Sequence, residues 1–220
     1  MLHARGCACL TAALLLGCTP ADVQPQTPRE TLAGPQPPQP ERLACVPGDT
    51  AVFASAYLRE REGWYGKHLR AAGEGGLCRR AGVAEIYRFT WLRTGHGTVV
   101  VRAERRRDRI TLTAKQLARV GYEPGRLVVN RTVQLGAAEW AHLRMLLDSA
   151  AFWSPEAKTQ EHTSGLDGAQ WILEGAHGYR YQAVDRWTPD ESGPNRHFRA
   201  VGLYLLHLAR LMPRDPQDVH

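Results

Sequence analysis

Proline divides this chain. Seven of its fourteen prolines, at positions 20, 25, 28, 35, 37, 38 and 40, fall between Cys18 and Cys45, among glutamines and few large apolar side chains. Proline fixes φ and donates no backbone hydrogen bond, so such a stretch cannot supply a helix interior or a central strand. It also lacks the apolar surface that would offset the entropy of ordering it. Residues 18–44 are therefore expected to form an extended, semi-stiff tether. Its plain role is a stalk, with a proline-recognition motif as the lesser alternative. Any hydrophobic core has to come from the residues that follow.

Those residues suffice for one domain. Of the 220 residues 43% are apolar and 23% charged, which fits a chain with an ordinary core. No apolar run reaches the 18–20 residues of a conventional spanning helix. Collagen, a coiled coil, a polytopic membrane protein and a dense disulfide scaffold are excluded. The net charge of +6 is modest.

The N-terminus reads as an address. Arg5 gives a small positive region, and Ala8–Leu16 form a short apolar segment of the length of a signal-peptide core. The segment ends in Leu15-Leu16-Gly17-Cys18, which resembles the lipobox of bacterial lipoproteins. That resemblance implies cleavage after residue 17 and acylation of Cys18. Two or three acyl chains hold a protein at a bilayer essentially permanently, whereas one does so only reversibly. The alternative is an ordinary secretory peptide with a chance cysteine. Thr19, rather than aspartate, follows the cysteine, and by the sorting rule of such lipoproteins this favours the outer membrane, facing the periplasm. Loss of residues 1–17 removes Arg5 and leaves a charge of +5.

Of five cysteines, Cys7 and Cys9 would leave with the signal and Cys18 would carry lipid. Cys45 and Cys78 remain, an even pair in an oxidising compartment, read as a disulfide with two buried thiols as the alternative. A bond across that separation is worth about 3–4 kcal/mol in the loop-entropy model. Neither cysteine lies in a metal-binding spacing, so no metal is expected.

From 45 to 212 the periodicity predicts a single α+β domain, an antiparallel sheet of about six strands with helices packed on one face, followed by a polar tail at 213–220. A first helix capped by Asp49-Thr50 is expected to run to about Glu62. Strands are predicted over 85–93, where Tyr87, Phe89 and Trp91 alternate with Arg88 and Thr90, then over 98–104, 109–115 and 126–135. Helical spacing covers 137–150, with Trp140, Leu143, Leu146 and Leu147 on one stripe. A last hairpin, 169–175 and 178–187, turns at Ala176-His177. A closing helix spans about 195–211, with Phe198, Val201, Leu205 and Leu208 inward.

Candidate site residues cluster in that hairpin. Its expected register opposes Asp167 to Arg186, Trp171 to Gln182 and Ile172 to Tyr181, making Asp167–Arg186 a cross-strand ion pair. In the competing reading, Asp167, Glu174, Asp185 and Arg186 form the polar wall of a ligand site with Trp187 as a stacking platform. A second feature is the run Arg102, Arg105, Arg106, Arg107 and Arg109 at a predicted turn. It reads first as a solvated turn, and otherwise as attraction to anionic lipid or envelope glycans. Nucleic acid is not an expected partner, since no aromatic residues interleave the basic ones. The histidines show no zinc spacing, and no G-x-S-x-G or phosphate-cradling loop is present, so no cofactor is expected. Trp91, Trp140 and Trp171 fall on apolar faces, whereas Trp64, Trp153 and Trp187 lie near loops.

The blocks EIYRFTWLRTGHGTVVVRAERR, GYEPGRLVVNRTVQL and GLDGAQWILEG…YRYQAVDRWTP together resemble a family of uncharacterised bacterial lipoproteins, over most of residues 84–211. The resemblance implies an intact domain and carries over no reaction, cofactor or catalytic residue. The expectation is a tethered, non-enzymatic binding or envelope-assembly module, its partners the bilayer and an envelope protein or glycan. The alternative is a cell-envelope hydrolase working through paired carboxylates of the 167–187 hairpin. A hydrolase should bring two carboxylates together in a pocket, one of them shielded; a binding module should spend them in ion pairs.

Overall fold

Alternating apolar residues from position 85 onward build the sheet on which the described helices pack. In the computed structural model, β1 (Glu85–Arg93), β2 (Val99–Arg106), β3 (Arg109–Val120) and β4 (Glu123–Gln134) form an antiparallel meander. The helix Ala137–Ser149 intervenes before β5 (Ala169–His177) and β6 (Arg180–Trp187), and the helix Arg196–Leu208 follows. β5 returns beside β1, giving one six-stranded antiparallel sheet in the order β4-β3-β2-β1-β5-β6. Before the sheet come α1 (Ala56–Glu60), a π-helical turn (Glu62–Gly66) and α2 (Lys67–Ala71), so the two later helices are α3 and α4. The fold is α+β, as the periodicity predicts. Described are Cys45, residues 51–120, 123–154, 157, 167–215 and 219, all within one compact unit spanning 40–220. The expected signal peptide, the tether with Cys18 and the Asp49-Thr50 cap lie outside the described residues.

The main core lies between the sheet and the pair α3–α4. Tyr87, Phe89 and Trp91 of β1, Val101 of β2, Leu112 of β3 and Trp171 and Leu173 of β5 meet Trp140, Leu143 and Leu147 of α3 and Val201 and Leu205 of α4. Fully burying side chains of this size contributes about 1.5–3 kcal/mol each relative to leaving them in water. α4 approaches β5 closely because Gly202 faces the ring of Trp171; a Cβ there would lie 2.5 Å from Cζ3. α3 starts at Gly136, whose N–H donates to the Glu139 carboxylate at 2.6 Å, the half of a capping box that a glycine cap allows.

The other face of the sheet is covered by residues 52–72, where Phe53, Leu58 and Leu69 pack on Val100, Leu117 and Ile172. A third cluster, with Leu77, Ile86 and Tyr181, surrounds Cys45 and Cys78, which are placed as a disulfide pair with Cα atoms 5.0 Å apart.

Two expectations are corrected. The first helix does not run unbroken to Glu62: Val52 and Phe53 precede α1 in irregular chain, and α2 is a separate helix. Arg88 and Thr90, the alternate positions of β1, are fully buried beneath the 52–72 segment. The last hairpin turns at Gly178-Tyr179, where Gly178 takes φ +60°, a conformation glycine adopts without cost. Ala176 and His177 therefore stay in β5, Trp171 opposes Arg186, and Ile172 opposes Asp185. Each partner moves by four positions, an even number, so every side chain keeps its face.

Candidate functional site

The hairpin residues that composition brings together in sequence are separated in space. Asp167 is exposed just ahead of β5. Arg186 points to the α4 side, where its Nε donates to Asn195 Oδ1 at 3.1 Å and its guanidinium lies 5.7 Å from the Phe198 ring centroid. It also donates to the carbonyls of Asp185 and Ala157. Burial lowers its pKa to about 10, against the pull of Asp185. The expected Asp167–Arg186 ion pair is thus replaced by contacts to a side-chain amide and two carbonyls. Trp187 is half-buried at the end of β6, against Gly168. Glu174 and Asp185 share the opposite face of the sheet, in two different settings.

Glu174 belongs to a buried ionic network. Arg88, its register partner on β1, donates Nε to Oε2 at 2.8 Å and Nη2 to Oε1 at 2.9 Å. The Tyr181 hydroxyl donates to the same Oε1 at 2.7 Å. Arg88 spends its remaining donors on the carbonyls of Gly75 and Val52. One position further around, Glu74 enters from the loop after α2 and meets Lys115 at 2.8 Å, Arg102 at 3.1 Å and Arg88 at 3.7 Å. Burial alone would raise the Glu74 carboxyl, but Arg102, Arg88 and Lys115 outweigh it and hold it below the ordinary value. Burial pushes the Glu174 carboxyl up even against Arg88 and Tyr181. Arg88 itself, despite burial, is raised by Glu174 and Glu74 and stays charged. With its acceptors occupied and no solvent access, Glu174 is a structural anion that clamps the 52–75 segment to the sheet.

Asp185 lies toward the other end of the same face. It accepts hydrogen bonds from Tyr57 at 3.3 Å and from the Gln170 amide. Burial raises its pKa to about 6, with Gln170, Tyr57, Arg61 and Arg186 opposing. The phenols respond in kind: burial and the Asp185 charge raise Tyr57 to about 12 and push Tyr65 up as well. The Arg61 guanidinium stacks on Tyr57 at 3.8 Å rather than closing on the carboxylate. A partly accessible carboxylate rimmed by two tyrosines and an amide can accept a hydrogen bond or a proton from a ligand. Among the described residues no second carboxylate is bonded to it, so they do not assemble the paired acid–base arrangement here.

Two open grooves among the described residues lie elsewhere. One of about 450 Å³ is lined by Ala84, Glu85, Arg105, Arg107, Arg144 and His177, at the end of the sheet where the arginine-rich β2–β3 turn projects. A second, of about 720 Å³, shares Arg105 and Arg144 and continues along α3 past Trp140 and Met145. Among the described residues no group of three metal-ligating side chains is gathered.

Sequence reasoning found Asp185 and the arginine turn but missed Arg88, Glu74, Lys115, Tyr57 and Gln170. Glu74 stands alone between glycines (Gly73-Glu74-Gly75), a pattern that marks a backbone able to approach a sheet closely. No protein-family model and no curated protein matches the sequence.

Proposed function

We propose that this protein is a lipoprotein of the bacterial envelope, anchored through acylated Cys18, facing the periplasm from the outer membrane, and working as a non-enzymatic binding or assembly module. The resemblance of residues 84–211 to bacterial lipoproteins enters here as part of the same proposal. Support for the anchor comes from Leu15-Leu16-Gly17-Cys18 followed by the proline-rich segment. The placement of Cys45 and Cys78 as a bonded pair fits an oxidising compartment. The observation that carries the non-enzymatic half is the fate of the hairpin carboxylates. Glu174 is locked between Arg88 and Tyr181, and Asp185 has no second carboxylate bonded to it among the described residues, which suits ligand contact better than hydrolysis. Its ligand surface comprises Asp185, Tyr57 and Gln170, with Trp187 at the strand end.

Growth of expressing cells with a clickable palmitate analogue tests the anchor. The wild-type chain should incorporate the label and Cys18→Ser should lose it entirely. A wild-type chain that stays unlabelled, or a variant that labels equally, overturns the lipoprotein reading.

A further inference from the structure

The chain enters its domain at a cationic tip. Cys45 is bonded to Cys78, and its N–H donates to the Tyr179 carbonyl at 2.9 Å. Cys45, which follows residues 18–44 in the sequence, is therefore fastened beside the β5–β6 turn. Glu85, the first residue of β1, pairs with Arg105 on one side and His177 on the other, which brings the β2–β3 and β5–β6 turns to this same end. Arg79, Arg105, Arg106, Arg107, Arg109 and Arg180 are all exposed there. Among them stand two exposed apolar side chains, Val83 at 61% and Tyr179 at 73%. Among the described residues the neighbouring acids do not neutralise this charge: Glu104 is engaged by Arg80 and Arg102, and Glu85 by the Tyr87 hydroxyl and Arg144, which leaves Asp108 and, along α3, Asp148. Arg107 holds φ +54°, where glycine or asparagine would be unstrained. The turn keeps a cation at a position that favours another residue.

We propose that this tip is a docking surface for anionic phospholipid headgroups, resting on the reading of Cys18 as the membrane anchor. Three observations converge on it: where the tether enters, the surplus of arginines, and an exposed tyrosine and valine among them. Clusters of four to eight basic residues beside an anchor are attracted to anionic lipid, and tyrosine settles at the headgroup level. Residues 19–44 reach at most about 90 Å when extended, so the anchor keeps the domain near the bilayer without orienting it. Tethering raises the effective concentration of the tip at the surface to the millimolar range, enough for a weak electrostatic contact to be occupied. Docking would fix the orientation. Asp185 pairs with Ile172, five positions up β5 from His177, or about 17 Å at strand rise. It would then face away from the lipid, toward soluble partners.

The test uses the lipidated full chain reconstituted into vesicles, with an environment-sensitive fluorophore on Tyr179→Cys and, separately, on Asp190→Cys. In phosphatidylcholine vesicles containing phosphatidylglycerol, the probe at 179 should shift to the blue and be quenched by brominated lipid, while the probe at 190 should not. Half-molar salt, or pure phosphatidylcholine, should abolish the shift. The triple variant Arg105→Gln, Arg106→Gln, Arg107→Asn, whose solvent-exposed changes leave the core intact, should reduce the quenching at least tenfold. A chain that floats with the vesicles while its 179 probe stays water-exposed overturns docking and leaves the anchor standing. A chain that does not float overturns both. Quenching that is equal in neutral and anionic vesicles, or unchanged in the triple variant, also overturns the proposal, and a shift produced by soluble polyanionic glycan in preference to vesicles reassigns the surface.

Discussion

On the α3–α4 side of the sheet, Phe89, Trp91 and Trp171 are fully buried in hydrocarbon; on the opposite side, at the same depth, Arg88 and Glu174 are fully buried against each other. The two sides of β1 and β5 are thus equally dry and held by different forces. The apolar side is stabilised by area removed from water, which is non-directional and tolerant of repacking. The ionic side returns the cost of desolvating its charges only through complete pairing, so its geometry is fixed and each member depends on the others. This difference explains why the first side is a core alone, whereas the second adds, to the packing of Phe53, Leu58 and Leu69, a clamp that specifies where residues 52–75 lie.

The largest expected effect separates the two directly. Arg88→Leu should destabilise the domain by about 3–5 kcal/mol, since Glu174 is left buried and unpaired. Trp171→Ala should cost a similar amount by leaving a cavity. The double variant Arg88→Leu, Glu174→Leu should recover most of the loss, whereas a second truncation next to Trp171 should deepen it. Urea unfolding of the four variants decides the matter, and a double variant no better than Arg88→Leu alone would show that the clamp is not a self-contained ion pair.

A smaller effect is set by acid. The Glu74 carboxyl sits below its ordinary value in the fold, so its contribution is complete above the ordinary carboxylate range and is lost as the pH falls through the folded value. Glu74→Gln should cost about 3 kcal/mol at pH 7 and progressively less in acid. Unfolding curves from pH 7 down to pH 3 should converge for the two proteins; parallel curves would mean that Glu74 acts by packing.

The smallest effect has the opposite sign. Asp185, at about 6 against an ordinary 3.8, binds its proton more tightly folded than unfolded. Its ionisation therefore lowers stability as the pH rises from about 4 to about 6, by about 3 kcal/mol at most and by less once its partial solvent access is discounted. Asp185→Asn should stabilise the domain at pH 7 by up to that amount and have little effect near pH 3.5. A residue that weakens its fold when charged is a candidate for selection by binding. An unchanged or lower stability at pH 7 would instead place Asp185 among the structural groups.

What the sequence made legible follows the same division. Strands announce themselves by alternation, so β1 was bounded correctly and Trp91, Trp140 and Trp171 were assigned to the core, where the structure places them. The same alternation says which residues of β1 face the apolar core and leaves open whether the reverse face, with Arg88 and Thr90, is wet. Covering that face took a segment with little regular periodicity, the short helices around the π-helical turn. The hairpin register failed for a local reason: Ala176-His177 and Gly178-Tyr179 both sit between apolar runs, and the glycine at 178 decides between them. Of the candidate site, Asp185 was visible as a carboxylate in a strand, while Tyr57 and Gln170 reach it only through the folded sheet.

The strand order also has a kinetic consequence. Within the meander, neighbours are joined by turns of a few residues, whereas β1 must wait for β5, whose pairing joins Arg93 to Ala169, 169 − 93 = 76 positions later. Closing a loop of that size costs more chain entropy than any turn in the meander, and such long-range pairings slow folding. Until β5 docks, the inner edge of β1 stays open, with Phe89 and Trp91 uncovered beside it. A chain arrested before residue 169 therefore presents a sticky, unpaired strand edge.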